Sequence, residues 1–255
     1  MSHLIRTEIR KVFTTKLWWG LLLGALAITT LGVVATILSA GNAQSGIPPL
    51  SDPQTQRQAF GSTGAALIFI LILGVIGVTT EYRHFTSRPT FLFEPRRGRV
   101  VAAKLVTYAG MGLLYSILCA ALAVAIALPW LSARGVDVSL ADNGIPRTLI
   151  TTVASVAIFG MVGVGLGVLV RNQVAAVIGG LAYLFVFEPL VRVIPYVRDA
   201  YRFLPGGANE ALTQSNAQGG PVELLDPWAG GMVLVGWGLL FVILGTVLTV
   251  RRDVP

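Results

Sequence analysis

The chain has 255 residues, 54% hydrophobic and only 12% charged, with a mean hydropathy of +0.74 and a formal net charge of +7. A soluble domain carries about 25% charged residues, so this composition excludes a water-soluble globular protein and indicates one integral membrane domain over residues 1–255. The cations sit beside apolar runs, so membrane topology accounts for the positive charge and nucleic acid is not an expected partner.

In chain order, the first element is a short basic helix. Leu4, Ile5, Ile9, Val12 and Phe13 fall on one helical face, and Arg6 and Arg10 on another. That pattern predicts an amphipathic helix lying in the inner headgroup layer of the lipid bilayer. The apolar run after it is longer than the core of a signal peptide, and Leu38-Ser39-Ala40 is a poor cleavage site. A spanning helix needs ~20 mostly apolar residues. Six runs qualify: 17–38, 61–80, 105–131, 149–170, 174–187 and 228–250. The fifth is the shortest. It is completed if the helix continues through Ile194, with Glu188 and Arg192 at i,i+4 spacing partly neutralising each other. The expected fold class is therefore all-α: a polytopic membrane protein with six transmembrane helices, an N-terminal interfacial helix, and short outer helices between spans five and six.

The connections are uneven. Residues 39–60 are rich in Gly, Pro, Ser and Gln and read as irregular. The 188–227 segment carries Val191, Val193, Ile194, Tyr196, Val197, Tyr201, Phe203 and Leu204, too many apolar side chains for a free loop. It predicts a short helical pair in the outer leaflet or on top of the protein. Glu188 would start it, Pro195 would break it, and Pro205-Gly206-Gly207 would end it. Such an element would cap a transport path, as a gate (Glu188, Pro195, Tyr201, Pro205) or as a rigid lid.

With the N-terminus inside, thirteen cations fall on the cytoplasmic side and six outside. The positive-inside rule thus favours six spans with both termini cytoplasmic. Trp18 and Trp19 would mark the inner interface and Trp228 the outer one. Two GxxxG pairs, Gly20/Gly24 and Gly163/Gly167, predict close helix packing within the chain first and a dimer face second.

Catalytic constellations are missing from the sequence. None of Lys11, Lys16 and Lys104 follows a glycine or precedes Ser or Thr, so there is no phosphate-binding loop. His3 and His84 lie in basic segments without a nearby cysteine, which argues against a metal site. Cys119, the one cysteine, reads as a small buried residue. Glu81 and Glu188 stand at span ends and read as interfacial, beside Arg83 and Arg192. The chain is expected to be no enzyme and to bind no cofactor, with any energy source outside it.

The stretch 81–104, EYRHFTSRPTFLFEPRRGRVVAAK, holds Arg83, Arg88, Arg96, Arg97, Arg99 and Lys104 against only Glu81 and Glu94. It also carries Phe85, Phe91, Leu92 and Phe93. A basic cytoplasmic loop with an apolar knob suits burial against a soluble partner. A Glu at the end of span two, a short segment, then Pro95-Arg96-Arg97 and a Lys opening span three resemble the type-2 ABC transporter permeases, the actinobacterial ones most. Phe85, where many relatives have glycine, and Pro89 depart from that pattern. The likeness of architecture covers essentially the whole chain. It implies a separate ABC ATPase in two copies carrying ATP and magnesium, and a second permease copy or a paralogous permease. It implies a plasma-membrane location and export of a hydrophobic or amphipathic substrate. The ATPase-coupling residues would be Glu81, Tyr82, Arg83, Phe85, Arg88, Phe91, Leu92, Phe93 and Glu94. The rival expectation is a passive channel or membrane assembly scaffold without ATP coupling.

Overall fold

The computed structural model describes residues 1–42, 45–83, 97–136, 138–214 and 222–251. Among these the protein is all-helical, with no strand and six helical segments long and apolar enough to cross a membrane. The elements are α1 (Ser2–Thr14), α2 (Leu17–Ser39), α3 (Pro53–Gly61), α4 (Ala66–Arg83), α5 (Arg97–Ala133), α6 (Ile145–Val170), α7 (Gln173–Ala182), α8 (Glu188–Val193), α9 (Pro205–Thr213) and α10 (Pro227–Arg251). A 3-10 turn, Ser62–Ala65, joins α3 to α4. A π turn, Tyr183–Phe187, joins α7 to α8 into one span.

Helix α6 is the hub, packed against α4, α5 and α10. Its glycines make that possible. A Cβ at Gly163 would come within 2.4 Å of the Leu71 carbonyl oxygen on α4, and one at Gly165 within 2.9 Å of the Gly238 carbonyl oxygen on α10. With no hydrophobic drive between helices in lipid, such backbone approach and its dispersion contacts supply the packing energy. The Gly163/Gly167 pair thus serves packing inside the chain. At the other pair, Gly24 receives the ring of Phe69, whereas Gly20 faces open space.

Two apolar clusters stack along the bundle. The larger gathers Ile70, Leu71, Val75, Tyr115, Val156, Phe159 and Leu234. The smaller, toward the α3 end, gathers Val33, Ile37, Phe60, Ala127 and Ile145. The spans alternate in direction. One end of the bundle carries α1, the last turn of α4, the start of α5 and the C-terminal parts of α6 and α10. The opposite end carries α3, α9 and the start of α6.

Several expectations need correction. Residues 53–61 are helical rather than irregular, because the Asp52 side chain accepts from the Gln54 amide and Pro53 occupies the first turn, a strong helix start. Pro205-Gly206-Gly207 follows the end of the 3-10 helix Arg198–Phe203, as expected, but also begins a further helix, α9, with Pro205 again in the first turn. Glu188 does open a short helix, α8, but α8 follows the π turn directly and so also extends the fifth span to Val193. The break falls at Ile194, next to Pro195, as the sequence suggests. The chain buries little of the apolar set between 191 and 204: Tyr201 is buried, but Val193, Ile194, Tyr196, Val197 and Phe203 are exposed. On α1 the apolar face is split. Leu4, Ile5 and Val12 turn inward together with Glu8, while Ile9 and Phe13 stay exposed.

Candidate functional site

Four charged residues at the α1 end form a closed ring. Glu8 projects from the inward face of α1, one turn before Val12, and is 4% exposed. Its two carboxylate oxygens take different cations: Oε1 accepts from Lys11 Nζ at 2.7 Å, and Oε2 from Lys104 Nζ at 2.7 Å. Glu81, in the last turn of α4, accepts from both lysines through Oε1, at 2.7 Å from Lys11 and 2.8 Å from Lys104. Two cations and two anions alternate, so the ring is neutral. Lys104 and Glu8 are almost wholly enclosed, Glu81 slightly less so, and Lys11 closes the ring toward solvent.

This geometry accounts for the burial. An unpaired charge at such depth would cost several kcal/mol, and here each carboxylate meets two ammonium groups. For Lys11, burial alone would lower the pKa. Its hydrogen bonds to Glu8 and Glu81 and their negative charges outweigh that and hold the ammonium above the ordinary lysine value. Near the ring, the Arg171 guanidinium lies 5.7 Å from the centroid of the Tyr82 ring, which ties the turn between α6 and α7 to the end of α4.

Of the sequence-predicted coupling residues, Glu81, Tyr82 and Arg83 end α4. Glu81 does not rely on Arg83, which is exposed; its partners are Lys11 and Lys104. Phe85, Arg88, Phe91, Leu92, Phe93 and Glu94 lie outside the described residues. Glu8, Lys11 and Lys104 escaped the sequence reading as site residues. The available signal was Glu8, an acid on the same helical stripe as Leu4, Ile5 and Val12, since a carboxylate on an apolar stripe requires a cation from elsewhere.

The opposite end holds a second polar constellation. Glu188 is 2% exposed, and its Oε1 accepts from the Gly206 amide at 3.0 Å. The carboxylate thereby satisfies a free N–H in the first turn of α9. Arg192 does not neutralise Glu188. It pairs with Glu210 at 3.0 Å and lies 5.5 Å from the centroid of the Tyr201 ring. The Tyr201 hydroxyl donates to Glu210 at 2.9 Å, and burial together with that carboxylate's charge pushes its pKa above the usual phenol value. Pro205 is buried at the start of α9, whereas Pro195 is exposed in the turn after α8. Two further contacts fasten the cap to the spans: the Ser155 hydroxyl bonds to Asn209, and Trp237 Nε1 donates to the Phe203 carbonyl at 2.7 Å.

Beside the cap lies a cavity of about 410 Å³ between α2, α3, α6 and α9, at the end of the bundle opposite α1. Its lining is polar, with Arg57, Gln58, Ser62, Thr152, Ser155 and Asn209 among the contributors. Among the described residues no three His, Cys, Asp or Glu side chains converge to ligate a metal ion.

A scan of protein-family models finds no match for this chain, and a search of curated proteins finds none either. The helical bundle and its six candidate spans therefore define it as a multi-pass membrane protein on physical grounds.

Proposed function

We propose that this chain is the membrane-spanning subunit of an ATP-driven ABC transporter, exporting a hydrophobic or amphipathic substrate. It is coupled to a separate ATPase through the 82–94 segment. The observation that carries this reading is the ion ring. Glu81 and Lys104 stand on the two sides of that segment, and both are bonded to α1. A push on the segment would therefore reach α1, α4 and α5 as one body rather than dissipate in a loop. A passive channel has no need for a device that locks the two ends of one cytoplasmic loop to an N-terminal helix.

In this reading the chain performs no chemistry. ATP and magnesium bind the partner ATPase, present in two copies, and two permease chains, identical or paralogous, form the path. The chain sits in the cell membrane with both termini cytoplasmic, as the thirteen inner against six outer cations favour. The cap built from α8, the turn 194–197, the 3-10 helix Arg198–Phe203 and α9 acts as a lid fixed to α6 and α10. The Ser155–Asn209 and Trp237–Phe203 bonds support that role over a free gate.

Copurification tests the coupling. The wild-type chain is expected to retain an ABC ATPase, preferably one encoded beside it, and the double variant Phe91→Asp/Leu92→Asp to lose it while still inserting in the membrane. Retention by the double variant, with transport intact, refutes the reading. Cysteine labelling checks the orientation: positions 51 and 215 should react from outside, and positions 2 and 87 only after permeabilisation. Labelling of position 87 in intact cells would overturn it.

A further inference from the structure

The polar cavity at the α3 end is not needed by the coupling mechanism, and its composition is specific. Gln58 at its rim is exposed, while Thr152 and Ser155 are nearly fully buried. From Ile145 to Ser155 helix α6 descends roughly 15 Å, about the depth of a headgroup region and the top of the acyl layer. The cavity thus leads polar side chains down to a level where spans normally present apolar ones.

Arg57 supplies its cation. This residue sits on α3, half-buried, and its Nη1 donates to the Asn143 carbonyl at 3.1 Å. Asn143 adopts the left-handed conformation, φ 57°, and its side-chain amide donates to Gln56 Oε1 at 2.8 Å, so the Arg57 anchor is itself fixed. Among the described residues no carboxylate forms an ion pair with Arg57, whereas Arg192 of the neighbouring cap has Glu210. Among the described residues the lining contains no acid. A guanidinium with donors left over, in a cavity of hydroxyls and amides without a counter-charge, is matched by an anion carrying several acceptor oxygens. About 410 Å³ admits a phosphate with a small polyol attached.

We propose that this cavity binds a phosphate-bearing, hydroxyl-rich group, with Arg57 on the phosphate and Gln58, Ser62, Thr152 and Asn209 on the remaining oxygens. The same chemistry is offered by the headgroup of an anionic glycerophospholipid and by a free glycerol phosphate. The site does not depend on ATP coupling, so it stands or falls separately from the transporter reading.

The test uses the full chain purified in a neutral maltoside detergent. Binding of sn-glycerol 3-phosphate and of dihexanoyl-phosphatidylglycerol is measured by thermal shift and microscale thermophoresis, with dihexanoyl-phosphatidylcholine as the control. At least one phosphate probe is expected to bind, more weakly as salt rises, with Arg57→Gln lowering the affinity about tenfold or more and Arg57→Lys lowering it less. Binding of both probes assigns a site for the phosphoglycerol group from either source. Binding of the lipid probe alone assigns a lipid site, and of glycerol phosphate alone a soluble-ligand site. The proposal is overturned if neither probe binds, if Arg57→Gln binds as wild type does, or if phosphatidylcholine competes equally. Should circular dichroism show Arg57→Gln misfolded, Thr152→Val decides at the cavity floor. Its affinity should fall severalfold, and an unchanged affinity overturns the assignment.

Discussion

Replacing Lys104 by Met is the sharpest probe of the ion ring. The substitution keeps the length of the side chain and its apolar stem but removes the ammonium that bonds Glu8 and Glu81 at 2.7 and 2.8 Å. Lys11 remains, yet it is partly exposed and must then serve two carboxylates alone, leaving a net negative charge in an enclosed site. Removing one member of a buried pair costs about 3–5 kcal/mol; the surviving lysine places this case near 3. The loss falls on the docking of α1 against α5, because Glu8 is the one ring member carried inward by that helix. An opening cheaper by ~3 kcal/mol raises the undocked population roughly 150-fold. Hydrogen–deuterium exchange in detergent should therefore show α1 amides exchanging on the order of 100-fold faster, with α6 unchanged. Adding Glu8→Gln should restore part of the protection, since it removes one of the stranded charges. Protection of α1 within twofold of wild type in Lys104→Met would refute the ring as the anchor of α1.

The raised Lys11 pKa has a defined pH consequence. A cation whose folded pKa exceeds its unfolded value stabilises fully below the unfolded value and loses that contribution as pH rises through the folded one. The stability difference between wild type and Lys11→Met should thus be constant from neutral pH to about 10 and disappear above it; a difference that vanishes near pH 7 contradicts the pairing. The two GxxxG motifs should respond oppositely. Gly163→Leu must push against the Leu71 backbone and destabilise by about 1–3 kcal/mol or more, whereas Gly20→Leu meets nothing within 4 Å and should be neutral in the same denaturation assay. For the cap, Glu188→Leu strands the Gly206 amide and should expose the region around α9 to proteolysis at about 1–3 kcal/mol lower stability. Glu188→Gln retains an acceptor oxygen and should remain close to wild type; equal sensitivity of the two variants would show that the hydrogen bond is not what holds α9.

The number and approximate limits of the spans were legible in the sequence for a physical reason: lipid leaves backbone groups no partner outside the helix, so length and hydropathy alone set the spanning segments. The amphipathic α1 and the break at Pro195 were legible as well, from periodicity and from a missing N–H. The tertiary structure decided the pairing of every ionisable residue. Local spacing suggested Glu81 with Arg83 and Glu188 with Arg192; the folded chain pairs Glu81 with Lys11 and Lys104, turns Glu188 to the Gly206 amide, and gives Arg192 to Glu210. Helical periodicity states which face a side chain occupies but not which helix arrives opposite that face. That depends on the close approaches that glycines such as Gly163 and Gly165 permit, and on α9 folding back after Leu204. The polar cavity was hidden for the same reason: Arg57, Thr152 and Asn209 are far apart in the chain, and only helix packing brings them to one wall.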